Sequence, residues 1–444
     1  VTRVKDQNLE RLLGWPEGLD NLSAETELPI GLVSSRDGKP HGSLRVAENV
    51  NLDESGKVTS RAGFTLVGDY PGMHSVWASE QFPVMLAAYN GYLVWMDQTA
   101  VPTNIVALSA PTEPMSYDIH AGWVYYSNGF DSGRYNGEVR QEWAIMPPLS
   151  APVLAEYASG GLDAGTYQVA LTYRDAYGRE SGASQYDEVT IAAGKGILIS
   201  AIPTTSDSSV TTVRVYCSRT NGTICYAVND IPAGTASYLI GVHTPGAALE
   251  TGFHEPLPAG HIVRFHNGRQ YVFRNKVLFW SEALRPGQTV LQSNYLSFNA
   301  RGDLLEGVGE GPQAELYAAA GNRTYLLSGD DPSKWNRRIA HPHGAVPGSS
   351  TRVDATAVGE DQSGRIPFWL DNDGQFVLGM PGGVKMLHKD RYAAETGVER
   401  GATVLREAGG LRHLISVLRG GQTSNVAVSD SVDAEVWKDG VRLS

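Results

Sequence analysis

Few residues in this sequence stand at spacings that chemistry uses. His341-Pro342-His343 could offer two imidazoles to a metal, but a metal site needs further His, Cys or carboxylate ligands, and no paired cluster accompanies it. The intervening proline suits a polar loop better. Asp371-Asn372-Asp373-Gly374 resembles the start of a calcium loop, yet the glutamate that closes such a loop is missing. The same residues suit a tight turn between strands, where Asn, Asp and Gly accept positive φ. There is no P-loop, no Gly-x-Ser-x-Gly elbow, no His-Glu-x-x-His and no lysine in a phosphate-cradling turn. A sialidase would carry repeated Ser-x-Asp-x-Gly-x-x-Trp turns, and none is found. With 48 Asp and Glu in the chain, carboxylates can still pair in space, which keeps glycoside hydrolysis as the enzymatic alternative. The expectation is no catalytic residue, no cofactor and no metal.

Cys217 and Cys225 are the only cysteines, too few for a disulfide framework or a zinc site. They flank Thr220-Asn221-Gly222-Thr223, a hairpin turn signal. A two-residue loop sets Ser218 opposite Cys225 and sends the thiols to opposite faces; a three-residue loop sets Cys217 opposite Cys225. Free thiols suit synthesis in the cytoplasm. Trp95, Trp123, Trp280 and Trp369 could form sugar platforms, but each lies in or beside a strand, where core packing suits them better. Basic residues gather at Arg264, Arg269, Arg274 and Lys276, and at Lys334, Arg337 and Arg338. A solvated strand edge explains both groups; DNA phosphates or a neighbour's carboxylates are the sharper readings.

The elements that position these residues are short strands. Fifty Gly and 23 Pro spread along 444 residues argue against long helices, and 41% hydrophobic residues supply real cores. The fold class expected is all-β. From about residue 72, pairs of apolar strands flank tight turns. Phe82–Tyr89 and Tyr92–Met96 meet at Asn90-Gly91, and Tyr117–Ala121 meets Trp123–Tyr126 at Gly122. His261–Phe265 and Arg269–Phe273 meet at Asn267-Gly268, with Val277–Trp280 following. Leu316–Ala320 and Thr324–Leu327 meet at Gly321-Asn322, and Pro367–Leu370 meets Gln375–Leu378 at Asn372-Asp373-Gly374. Leu411–Leu418 supplies part of a sixth unit. This recurrence predicts a β-propeller-like body, with a large sandwich or a string of small β-domains as the alternative.

The series breaks between about 140 and 260. There, Tyr167, Val169, Leu171 and Tyr173 alternate with Gln168, Ala170 and Thr172 as in a half-buried strand. About seven short strands follow one another over some 100 residues, the rhythm of an immunoglobulin/fibronectin-III-like sandwich. It reads as an insertion into the propeller, which tolerates a domain with close termini. The expected domains are an irregular arm with a hairpin (1–71), the first part of the propeller (72–148), the inserted sandwich (149–253), and the second part with the C-terminal segment (254–444). Val46, Val50 and Leu52 with Val58 predict the hairpin, turning at Glu54 to Lys57.

A formal charge of −12 excludes a protein that grips nucleic acid through a basic face. It serves solubility, or a surface past which DNA slides. No apolar run reaches the length of a membrane span, and the N-terminus shows no export signal.

Certain segments resemble a known family. Gly18-Leu19-Asp20-Asn21-Leu22, Leu44 to Asp53, Gly56-Lys57-Val58 and Arg61-Ala62-Gly63-Phe64 look like the opening of podophage tail nozzle proteins. Asn51 stands where that family has Asp, and Ser60-Arg61-Ala62-Gly63 replaces its Arg-Arg-Pro-Gly. Gly268 to Phe273, Leu278 to Glu282 and Leu284-Arg285-Pro286 are similar to it too. The resemblance covers about a quarter of the chain. It implies a virion structural subunit forming a homohexameric ring below the portal and adaptor proteins. Double-stranded DNA would pass through the lumen unbound at ejection, and the sandwich would project outward or meet a fibre or tail-tip protein. A glycan-binding or depolymerising tail propeller is the functional alternative.

Overall fold

Left-handed turns cut the chain into short antiparallel strands. Asn90 and Gly91 take φ values of 54° and 86°, so Phe82–Tyr89 folds back on Tyr92–Met96, pairing from Tyr89 with Tyr92 to Met85 with Met96. Asn267 and Gly268 do the same, at 45° and 73°, between Ile262–His266 and Arg269–Arg274. In a computed structural model, the description covers residues 68–420 except 98, 359, 361–363, 388–392, 395–396 and 409–410. It also covers the strand segments at 30–33, 40–43, 50–52, 58–60, 436–438 and 441–443. The protein is nearly all β. No described helix is long and apolar enough to cross a membrane.

The chain divides into two compact units, residues 70–297 and residues 1–69 with 298–444. In the first, two four-stranded sheets follow one another, each ordered as in the sequence. One runs His74–Ser79, Phe82–Tyr89, Tyr92–Met96 and Thr103–Ala107; the next runs Ser116–His120, Trp123–Ser127, Ser132–Tyr135 and Arg140–Gln141. A third such sheet takes Ile262–His266, Arg269–Arg274, Val277–Trp280 and Tyr295–Ser297. Their cores lie between consecutive sheets. Leu86, Leu93, Tyr117, Val124 and Tyr126 fill the space between the first two, and Tyr125, Trp143, Val263, Phe265 and Val272 that between the next two. Each such side chain, fully buried, contributes roughly 1.5–3 kcal/mol.

The first strands of these sheets stand side by side. Ser75 Oγ accepts from Met115 N (2.9 Å), and Trp77 stacks on Tyr117 two residues on. Ser116 Oγ accepts from Val263 N (3.0 Å), and two residues on Asp118 Oδ2 accepts from Phe265 N (2.6 Å). At both junctions the strands run parallel and are joined by side chain to backbone, not by a main-chain ladder.

Between the second and third sheets in sequence lie two sheets with one shared core. Val153–Leu162, Lys195–Ser200 and Ser237–Ile240 form one; Asp187–Ile191, Gly165–Asp175, Val210–Ser218 and Cys225–Pro232 form the other. Tyr167, Val169, Leu171 and Tyr173, the predicted alternating face, pack in that core with Ile197, Ile199, Val213, Val215 and Ile240.

In the second unit, Gly302–Val308, Glu315–Ala320, Arg323–Ser328 and Asn336–His341 form a four-stranded sheet. Thr351–Asp354, Arg365–Leu370, Phe376–Met380 and Gly383–Leu387 form another. Trp369, Phe368, Tyr317 and Leu304 lie in the core they share. Glu306 of the first sheet accepts from Ser350 Oγ and Arg352 Nε (both 2.9 Å). The Arg400–Ala408 and Leu411–Arg419 strands pair, and Leu405 and Leu414 pack against the same core. Val50–Leu52 pairs with Val58–Ser60, the hairpin expected there. Val46, the expected turn at 54–57, and the resembling residues 18–22, 44–49, 53, 56–57 and 61–64 lie outside the described residues.

Candidate functional site

The two motifs that opened the sequence analysis meet in one buried network. Asp371 follows the Arg365–Leu370 strand, and its Oδ1 accepts from Asp373 N (3.0 Å) and Gln375 N (2.7 Å), closing the turn before Phe376–Met380. Gly374 completes it at φ 84°. The other carboxylate oxygen lies 2.8 Å from Nε2 of His341, at the end of the Asn336–His341 strand, and both side chains are buried. The His343 ring sits 5.2 Å from that of His341. Asn372 Nδ2 donates to Asn322 Oδ1 across the neighbouring turn (3.2 Å).

A His–Asp pair is two-thirds of a nucleophilic triad. No hydroxyl or thiol of the described residues hydrogen-bonds His341. Nearby, Thr324 Oγ1 donates to the His343 carbonyl (2.9 Å), and Ser349 Oγ bonds the Val346 and Leu370 carbonyls. The pair ties one sheet's last strand to the turn of the next. Among the described residues, no three or more His, Cys, Asp or Glu side chains are grouped to hold a metal.

Cys217 and Cys225 are both buried and unbridged. Ser218 pairs with Cys225 and Cys217 with Tyr226, the register of a two-residue loop, so the thiols face opposite sides of the sheet. Burial, then the Cys225 charge, pushes the Cys217 thiol up to about 12; burial pushes Cys225 up to about 11. Neither is a ready nucleophile at neutral pH.

Trp280 and Trp369 are buried, while Trp95 and Trp123 are half-buried against apolar clusters. The basic groups divide. Arg264 Nη1 donates to the Tyr117 and Val263 carbonyls and to Ser116 Oγ, and Arg269 Nη1 donates to the Ser281 carbonyl. Arg274 and Lys276 are exposed. Lys334 pairs with Asp331, Arg338 bonds the Gly382 carbonyl, and Arg337 lies over Phe298 and Tyr325. Beside it is a cleft of about 410 Å³ lined by Asn299, Ala300, Asn322, Arg323 and Tyr325.

One buried polar network joins residues that no sequence pattern pairs. Arg134, 5% exposed, lies 3.9 Å over the Trp123 ring. Its Nε and Nη2 donate to Gln141 Oε1 at 3.1 and 2.6 Å. Arg179 donates to the same oxygen (3.1 Å), to the Glu142 carbonyl (2.8 Å) and to the buried Asp175 carboxylate (2.7 Å). Burial, then the adjacent Arg179, lowers the Arg134 guanidinium below its usual range. The only sequence signal was the charged run Arg174 to Glu180, which reads as an ordinary turn. No protein-family model matches this chain, and no curated protein sequence matches it.

Proposed function

We propose that the chain is a structural subunit of a short-tailed phage tail, a nozzle protein that assembles into a hexameric ring. The ring retains packaged double-stranded DNA and conducts it at ejection. Its place is the virion tail, between head-to-tail adaptor proteins and fibre or tip proteins, after synthesis in the host cytoplasm. Its body is a β-propeller and the Val153–Ile240 region an immunoglobulin-like insertion.

One observation carries the architecture: consecutive four-stranded sheets with cores between them and parallel first strands side by side, at 75/115 and at 116/263. Blades around an axis have this arrangement. The second junction joins residues 147 apart in sequence, with the sandwich between them, as an insertion requires. The tail assignment itself rests on the family resemblance. The −12 charge supports a conduit that DNA traverses without sticking, since like charges repel.

Electron microscopy of the purified chain tests it: rings of six with an axial channel are expected, and a monomer or trimer that never closes into rings overturns the nozzle reading. One observation favours a second reading. The cleft beside Tyr325 also has Asn299, Asn322 and Arg323 in its lining, a mix of aromatic and polar side chains that suits a sugar. Incubation with host lipopolysaccharide or capsule separates the two, because glycan cleavage rules out a purely structural role.

A further inference from the structure

Two chain crossings join the Val153–Ile240 sandwich to its sheets, 146–150 leading out and 251–256 leading back. A domain on two short tethers ordinarily swings. Here the Asp175–Gly182 turn, at the end of the long Gly165–Asp175 strand, is fixed on one side to the Ser116–Gln141 sheet and on the other to the paired Glu255–Pro256 and Gln288–Thr289 strands and the residue before them. On the Ser116–Gln141 sheet, Arg134 Nη2 lies 4.0 Å from the Asp175 carboxylate, Gln141 Oε1 accepts from Arg179, and Tyr177 packs edge-on against Trp123 at 5.5 Å. On the other side, Gln288 Nε2 bonds the Glu180 carbonyl, and its Oε1 lies 3.2 Å from His254 Nδ1. Gly182 packs so closely on His254 that a Cβ would fall 1.8 Å from its carbonyl oxygen.

A buried charge network can fix one geometry without adding net stability. Two Arg134 donors converging on one Gln141 oxygen, Arg179 donors spread over three acceptors and a stacked tryptophan hold orientation as well as distance. The far end of the sandwich is the Thr220–Thr223 turn, bound to Thr166 at the start of the same strand. Eleven residues of strand separate it from the clamp, a lever arm of roughly 35 Å.

We propose that the sandwich is a lever locked to the Ser116–Gln141 sheet by the Arg134–Asp175–Arg179–Gln141 network. A displacement imposed at the Thr220–Thr223 turn moves the sheet with it and reaches Ser116 and Asp118, the residues that join this sheet to the next. The inference goes beyond the tail reading and does not depend on it.

Nitroxide labels on Thr223→Cys and Glu138→Cys in the full chain, both exposed positions, report the arm's orientation by pulsed electron–electron resonance. Cys217 and Cys225 are too buried to take the label. The expected result is one narrow distance distribution that at least doubles in width in Arg134→Met. Arg179→Met, a change at a partly exposed side chain, should broaden it too and serves where Arg134→Met does not fold. A broad distribution in the labelled parent overturns the lever, and so does a width unchanged in every variant that folds.

Discussion

Asp303, in the Gly302–Val308 strand, is the carboxyl whose chemistry the fold alters most usefully. Burial, only partly offset by Arg301, pushes it up to about 6, against an ordinary value near 3.8. The folded state therefore holds this proton more tightly than the unfolded one. Its contribution is present below about pH 4 and lost as pH rises through 6. Two pKa units would be about 2.7 kcal/mol; for a half-buried side chain, screening leaves on the order of 1 kcal/mol. Asp303→Asn should raise the melting temperature at pH 7.5 by about 2–4 °C and leave it unchanged at pH 4, as read by calorimetry. Equal shifts at both pH values would show that ionisation is not the cause. At this scale the sequence was legible where a residue answers only to its neighbours. Asn90-Gly91 and Asn267-Gly268 announce their turns because few other residues accept positive φ. His341 and Asp371, 30 residues apart, showed no sign of each other, since packing alone brings them together.

Among elements, strands and their partners were readable because alternation and turn residues are local. What joins one sheet to another was not. Ser116 and Val263 meet across 147 residues, and a serine at the start of a strand advertises nothing. The Asp175–Gly182 turn is the same case: its charges look like a solvated loop, yet Asp175 is buried and Gly182 touches a distant backbone. Gly182→Ala forces a methyl into the His254 carbonyl, where both sides are main chain and cannot rotate away. It should cost more than about 3 kcal/mol in urea unfolding followed by tryptophan fluorescence. Gly241→Ala, with nothing within 4 Å of its Cβ, should cost under about 1 kcal/mol. Similar losses at the two sites would remove the close-packing argument.

For the molecule, like charge is the dominant long-range fact. Two copies of the chain, each carrying −12, repel before short-range contacts form, and salt screens that repulsion over about 10 Å at 0.1 M. Assembly of the proposed ring should strengthen several-fold between 20 and 200 mM NaCl (both about), measured by mass photometry at fixed protein concentration. Weakening over that range would point to opposite-charge contacts between subunits. The all-β class was readable from composition. The cut at 69/70 lies two residues from the change of sequence character at 71/72, whereas that at 297/298 follows three-dimensional contacts and no change in sequence character.

The thiol geometry has a consequence for the protein's covalent life. Cys217 and Cys225 stand one rung apart on a ladder, close enough in sequence to invite a bond, yet the pleat turns them back to back. Oxidant therefore finds neither a partner to couple nor an exposed thiolate to modify. A chain made in a reducing cell and later exposed to air would keep both cysteines unbridged throughout.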